Sequence, residues 1–348
     1  MPFKSIFLPA ILLVALSACN KSPNAIKNET KAAVDIYVSG RVYANNGNQV
    51  AAYWKNGVIT KASDSSYISG SGSISVNGTD VYMCGFRNAG ATTNNAMYWK
   101  NGNPVNLPNG SINITSSDAS SVVADGNNVY VVGTATFSNY LLGAIVWNNG
   151  AVSQLASTNF GNSYVNTVGI NNGQVYAIGG TPSASGANLV ATYWLNGTAK
   201  TLTDPSVFSF ANGVAFNGND VYICGYQMSN NIVTACYWKN GQITLLPGGE
   251  YSTGLTIAFD GGNIYVGGFT ANATNTMEQA VYWKNGVITK VGSPANTALV
   301  SFVSAYGNNV ALTGHFGANS SSYWFNGNFI DVTGTGAEAI CVVLEPKQ

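Results

Sequence analysis

From Val34 onward, short apolar runs alternate with glycine- and asparagine-rich breaks, and one unit shows the whole scheme. Ser121-Val122-Val123-Ala124 is ended by Asp125-Gly126-Asn127, and Asn128-Val129-Tyr130-Val131-Val132-Gly133 forms a second run. After a longer stretch comes Gly143-Ala144-Ile145-Val146-Trp147, and Asn148-Asn149-Gly150 leads into Ala151-Val152-Ser153-Gln154-Leu155. The second and third runs are β-branched and aromatic on both faces, as expected of strands covered by a neighbouring sheet on either side. Asn-Gly and Asp-Gly tolerate positive φ and suit two-residue hairpins. The pattern predicts a four-stranded antiparallel meander.

The unit then recurs. All seven tryptophans lie in one phrase, Tyr53-Trp54-Lys55-Asn56-Gly57 and its copies at Trp99, Trp147, Trp194, Trp238, Trp283 and Trp324. From Trp54 to Trp324 is 270 residues in six steps, a mean of 45, which is the period of a propeller blade. The second run recurs independently at Ile36, Val81, Val129, Val175, Val221, Ile264 and, degenerate, Val310. Its glycines are Gly40, Gly85, Gly133, Gly179, Gly225, Gly268 and Gly314. Both signals count seven blades. The first unit starts with its second run, and Ala339-Ile340-Cys341-Val342-Val343-Leu344 supplies a spare run at the other end. An all-β, seven-bladed β-propeller of four-stranded antiparallel blades is expected over residues 34–345. A C-terminal strand completes its first blade, leaving no open edge.

These residues carry a resemblance. The unit resembles kelch-type blades, with a strand ending in glycine, a variable loop and an aromatic strand. It departs from them in having Tyr and Trp adjacent, and it lacks the Trp-Asp signature of WD40 blades. It is similar to secreted bacterial lipoproteins built of Tyr-Trp-Lys-Asn-Gly repeats. That resemblance covers Val34 to Leu344 and implies a fold, not a ligand.

The N-terminal segment reads as an address. Lys4 precedes an apolar stretch, Ile6 to Ala15, that is too short to span a bilayer. Leu16-Ser17-Ala18-Cys19 then resembles the lipobox of bacterial lipoproteins, in which the cysteine is acylated; the plainer alternative is an ordinary signal peptide with Cys19 incidental. The lipobox implies a signal over residues 1–19, a lipid anchor of palmitate type at Cys19, and a polar tether over residues 20–33. With three acyl chains, anchoring is firm. The expected location is the bacterial outer membrane, on its periplasmic side or at the cell surface.

Composition narrows the partners. Charged residues make up 8% of the chain and formal net charge is zero, so no basic face is available to neutralise phosphates and nucleic acid is excluded as a partner. No metal-ligand spacing appears, and neither cofactor nor metal is expected. Cys84 and Cys224 occupy equivalent positions and should not meet. Cys224 and Cys236 flank one hairpin, where either a disulfide or two buried thiols would fit.

Turn lengths point to one side of the disc. Turns after the first and third runs are short and uniform, whereas connections after the second and fourth runs differ in every blade. Variable loops on a rigid scaffold are where recognition usually sits. On that side Arg41 and Arg87, the only arginines, are expected as neighbours able to grip an anionic group, with two solvated charges as the alternative. His315, the only histidine, takes the matching place in the last blade. A channel entrance is expected at Gly70, Asp118, Tyr164, Phe210, Thr253, Leu299 and Glu338. Tyr164 or Phe210 would stack a sugar, and Asp118 with Glu338 would suit glycosidic chemistry if suitably spaced. Lys55, Lys100, Lys239 and Lys284 are read as solvating an outer hairpin only.

The leading expectation is a monomeric, non-catalytic lipoprotein that binds a protein or glycan through the variable-loop face. A polysaccharide-acting enzyme with carboxylates at the channel mouth is the rival. An assembly scaffold similar to propeller lipoproteins that help insert outer-membrane proteins ranks behind, because it lacks their repeat.

Overall fold

The two-residue turns that open each hairpin have the backbone the sequence demands. In the computed structural model, Asn56 and Gly57 sit at φ 50° and 81°, the double left-handed conformation of a type I′ turn. Asn101, Asn149, Asn196, Asn240, Asn285 and Asn326 repeat it with φ between 48° and 52°, each followed by a left-handed glycine. The structure describes residues 30–88, 93–157, 161–272, 277–295, 298–316, 322–334 and 336–348. The expected leader, Cys19 and most of the tether lie outside them. Among the described residues no helix is long and apolar enough to cross a membrane.

The first three strands are β1 (Val34–Tyr43), β2 (Gln49–Lys55) and β3 (Val58–Lys61). Blade 2 holds β4 (Ile68–Asn77), β5 (Asp80–Asn88), β6 (Asn95–Lys100) and β7 (Asn103–Asn106). Blade 3 holds β8 (Ile114–Asp125), β9 (Asn128–Phe137), β10 (Leu142–Asn148) and β11 (Ala151–Gln154). Blade 4 holds β12 (Tyr164–Asn171), β13 (Gln174–Pro182), β14 (Leu189–Leu195) and β15 (Thr198–Thr201). Blade 5 holds β16 (Ser209–Asn217), β17 (Asp220–Ser229), β18 (Ile232–Lys239) and β19 (Gln242–Leu245). Blade 6 holds β20 (Tyr251–Asp260), β21 (Asn263–Ala271), β22 (Glu278–Lys284) and β23 (Val287–Lys290). Blade 7 holds β24 (Leu299–Tyr306), β25 (Asn309–His315), β26 (Ser322–Phe325) and β27 (Asn328–Asp331). The last strand, β28 (Glu338–Pro346), pairs antiparallel with β1 and makes blade 1 in the order β28-β1-β2-β3. The chain is a seven-bladed β-propeller.

One turn class differs from expectation. Asn77 and Asp80 are the last paired residues of their strands, so the loop is Gly78-Thr79. Gly78, Gly126 and Gly218 sit at φ 60°, 57° and 57° while the residue after each is not left-handed, which are the φ signs of a type II′ turn. The asparagine or aspartate before the glycine is therefore strand, not turn.

Three side-chain devices join the blades. Six tryptophans, from Trp54 to Trp283, are almost wholly buried. Each covers roughly 150–250 Å² of mostly apolar area, contributing roughly 5 kcal/mol of transfer free energy before ordering costs. Four also donate the indole N–H backward, to the connection that leaves the preceding blade: Trp54 to Thr333 O at 3.0 Å, Trp147 to Pro108 O at 2.9 Å, Trp194 to Ala156 O and Trp283 to Pro247 O at 2.6 Å. Second, a buried serine accepts from the third strand of the preceding blade. Ala51 N–H donates to Ser69 Oγ, and the pairs Ala96–Ser117, Ala144–Ser163, Ala191–Ser209 and Ala235–Ser252 repeat it at 2.9–3.2 Å. Third, hydroxyls and an amide tie the inner strands around the axis, for example Val122 N–H to Ser73 Oγ, Val168 N–H to Ser121 Oγ and Leu344 N–H to Ser304 Oγ. Each satisfies a buried polar group that would otherwise cost free energy.

The repeat lysines do more than solvate the outer hairpin. Lys55, Lys100 and Lys239 pair with Asp35, Asp80 and Asp220 at 3.3, 2.7 and 2.8 Å. Together with Lys284 they also lie 5.1–5.4 Å over the tyrosine rings of the second strands.

The cysteines are likewise settled. Cys84, Cys224, Cys236 and Cys341 are free and buried. Cys236 stands opposite Gly225, not Cys224, and the two thiols pack into different core clusters. The possible disulfide does not form, because adjacent register positions point to opposite sheet faces.

Candidate functional site

At one position of each blade the backbones of two inner strands come so close that only glycine fits. A Cβ on Gly133 would collide with the carbonyl oxygen of Asp118, and one on Gly268 with that of Thr253; Gly40, Gly85, Gly179, Gly225 and Gly314 meet Glu338, Gly70, Tyr164, Phe210 and Leu299 in the same way. Just beyond, each innermost strand shifts register in a β-bulge, a device that re-aims side chains. The collided residues are the seven expected at the channel entrance, so their equivalence holds around the ring. Each faces in register the residue after the repeat glycine: Glu338–Arg41, Gly70–Phe86, Asp118–Thr134, Tyr164–Gly180, Phe210–Tyr226, Thr253–Phe269 and Leu299–His315.

The resulting mouth is two-sided. Blades 4 to 6 carry aromatics. Tyr164 and Phe210 have ring centroids 6.4 Å apart; Phe210 stacks on Tyr226 at 6.3 Å and 21°; Phe208 lies 6.1 Å from Tyr226. Tyr251 stacks on Phe269 at 5.8 Å. Burial, with the Tyr251 phenol nearby, raises the Tyr226 hydroxyl above its ordinary pKa. Phe210 itself is buried at 9% exposure, so it backs the surface instead of forming it, and Tyr164 and Tyr226 are the half-buried rings in front. The reason lies in the preceding blade: the Phe210 ring fills the space left by Gly180, where a Cβ would lie 2.6 Å from it.

Blades 1 and 3 carry the charge. Arg41 Nη2 and Nε both meet Glu338 Oε2, at 2.6 and 2.7 Å, and Arg41 Nη1 donates to Gln49 Oε1 at 3.0 Å. Asp118 Oδ1 accepts from Asn94 Nδ2 at 2.8 Å, and Asn94 Oδ1 in turn accepts from Asn88 Nδ2 at 3.3 Å. Asn88 Oδ1 is buried without a hydrogen-bond partner among the described residues. Asp118 is exposed as a residue, yet protein crowding on its carboxylate raises its pKa, with Asn94 pulling the other way. His315 ends β25 as an exposed residue of blade 7.

The two arginines take different partners. Arg41 follows its glycine by one residue and Arg87 follows Gly85 by two, so they stand on opposite sheet faces. Arg87 instead stacks 4.3 Å over the Tyr67 ring and donates to Asn106 Oδ1 at 3.3 Å, in a cleft of about 330 Å³ with Asn95, Pro108 and Asn109. Nor do Asp118 and Glu338 form an idle carboxylate pair, since each already has its own partner. Below the mouth all seven blades line a channel of about 540 Å³, where Ser120, Asn166, Asn212, Leu255 and Ser301 face the axis from the bulges. Among the described residues no group of three His, Cys, Asp or Glu is placed to hold a metal.

Sequence reading missed Tyr226, Phe269, Asn88 and Asn94. The first two were accessible: they occupy the residue after the repeat glycine, as Arg41 and His315 do. The amides were not, because their role depends on Asn94 standing beside Asp118 of blade 3.

No family model matches the chain, and no curated protein matches it. Among solved structures it is similar to a puromycin-hydrolyzing peptidase of Mycobacterium tuberculosis, at TM-score 0.53 and 11% identity over 89% of this chain and 53% of that one. It is also similar to YjhT, at TM-score 0.41 and 12% identity over 79% of this chain and 96% of that one. AofleA from Arthrobotrys oligospora gives TM-score 0.41 and 14% identity, with coverages of 77% and 89%. The chain spans about half the length of the peptidase. At such identities the likeness extends to the fold alone.

Proposed function

We propose that this protein is a lipid-anchored, non-catalytic binding protein of the bacterial outer membrane that recognises a glycan at the loop-side mouth of its propeller. One observation carries the reading: half-buried Tyr164 stands on the same ring of positions as Asp118, beside half-buried Tyr226, which pairs in register with Phe210 of that ring. A sugar ring has an apolar face and a hydroxyl edge. Aromatic rings suit the first, and a carboxylate such as that of Asp118 suits the second. The resemblance of the leader to a lipobox supports the anchor at Cys19.

Hydrolysis of the bound polysaccharide is the weaker reading. A glycosidase needs one carboxyl as acid and a second as base or nucleophile. Glu338 is held by two donors of Arg41 and is poorly placed to give or take a proton.

Glycan arrays with the full-length protein in detergent test the proposal. Binding confined to one glycan class is expected, with Tyr226→Ala and Asp118→Asn each weakening it at least about tenfold, the scale of one lost hydrogen bond or ring contact. Absence of binding across all classes, or binding indifferent to both substitutions, would overturn it.

A further inference from the structure

We propose that the propeller stands on its hairpin-turn face: the Asn-Gly turns lie toward the lipid surface and the mouth bearing Tyr164, Tyr226 and Asp118 opens away from it. The inference rests on the anchor at Cys19 proposed above, and adds the orientation that the anchor imposes.

The observation is where the chain joins the ring. Ala32 N–H donates to Gly307 O at 2.8 Å, and Asn309 Nδ2 donates to Ala32 O at 2.8 Å. Gly307 belongs to the tight turn between β24 and β25, at φ 54°, and a Cβ on it would collide with that of Ala32. The other end is fastened alongside: Lys347 N–H donates to Ala33 O at 3.2 Å, and Gln348 Nε2 donates to Gly78 O at 2.6 Å in the matching turn of blade 2. From these contacts β1 runs ten residues, from Val34 to Tyr43, toward the loop side. The tether therefore leaves from the turn face.

Its length decides the rest. Thirteen peptide units separate Cys19 from Ala32. Fully extended, a chain of that length reaches no more than about 45 Å. Placing the loop face on the membrane would take the tether past two outer strands, about 10 Å, and up a ten-residue strand, about 33 Å. That path uses nearly the whole extended length. Charge does not reverse the preference, because three of the four repeat lysines on the turn face, Lys55, Lys100 and Lys239, are already paired with aspartates. The orientation is accordingly set by the tether and insensitive to salt.

Full-length, lipidated protein in phosphatidylcholine vesicles with nitroxide-labelled headgroups provides the test. A fluorophore is attached through Asn127→Cys, in a turn, or Asn139→Cys, in a loop; both residues are exposed, and the native thiols at 84, 224, 236 and 341 are buried. Headgroup quenching of the Asn127 probe should exceed that of the Asn139 probe at least about threefold, unchanged by added salt, given the limited reach of thirteen peptide units. Equal or reversed quenching on protein whose Cys19 acylation is verified by mass spectrometry would overturn the orientation alone. Protein that is not acylated and does not float with vesicles would overturn the anchor and the orientation with it.

Discussion

Arg41 and Glu338, 297 residues apart in sequence, share one carboxylate oxygen across the seam where the last strand meets the first. Both side chains are about a quarter exposed, and the guanidinium uses its fork geometry on a fixed acceptor. Arg41→Ala should lower stability by about 1 kcal/mol, the upper range for partly exposed pairs. A double-mutant cycle with Glu338→Gln in urea unfolding measures the coupling.

The repeat glycines permit the close approach of the inner strands. Gly133→Ala places a methyl against the carbonyl of Asp118, where backbone, not a flexible side chain, must yield. A loss of about 2 kcal/mol or more is expected. The shift in urea midpoint checks it, with Gly126→Ala, where a Cβ meets nothing but φ is 57°, reporting backbone strain without the collision.

Ser69 tests the bond between blades. Its Oγ accepts from Ala51 N–H at 2.9 Å in a fully buried setting. Ser69→Ala orphans that amide, and the expected cost is about 1–3 kcal/mol. Hydrogen exchange at Ala51 should accelerate in the variant while amides in blade 5 stay protected.

Two aspartates give pH dependences of opposite sign. Asn56 Nδ2 donating to Asp35 Oδ1, with Lys55 beside it, holds the Asp35 carboxyl below its ordinary value against the opposing effect of burial. A depressed folded pKa stabilises above the unfolded value, about 3.9, and that contribution is lost as pH falls through the folded one. Crowding raises Asp118, so its contribution is fully present below about 3.9 and is lost as pH rises through its folded pKa. In urea titrations between about pH 2.5 and 6, Asp35→Asn should flatten the acid limb, and Asp118→Asn should remove a decline at its upper end.

Blade number and ring closure were legible because tryptophan, glycine and turn residues each repeat on the same period, and because the spare run near Val342 matched the one missing before Val34. The faces of the disc were legible from turn length. Side-chain partnerships were not. That Arg41 meets Glu338 while Arg87 stacks on Tyr67 depends on a one-residue difference in distance from the glycine, which reverses the sheet face. That Phe210 is covered while Tyr226 is presented depends on Gly180 in another blade. The lysines looked idle because their aspartates precede the second run, twenty residues upstream, and only the hairpin brings them together.

The pairing of β28 with β1 also sets an order of events. One of the first strands to be synthesised waits for the nine-residue strand Glu338–Pro346 before its inner edge is covered. Until then the nascent chain displays an unpaired strand rich in valine and tyrosine, the kind of edge that recruits foreign chains. A message cut short before Glu338 would therefore yield not a slightly smaller ring but an unsealed one, marked for aggregation or proteolysis.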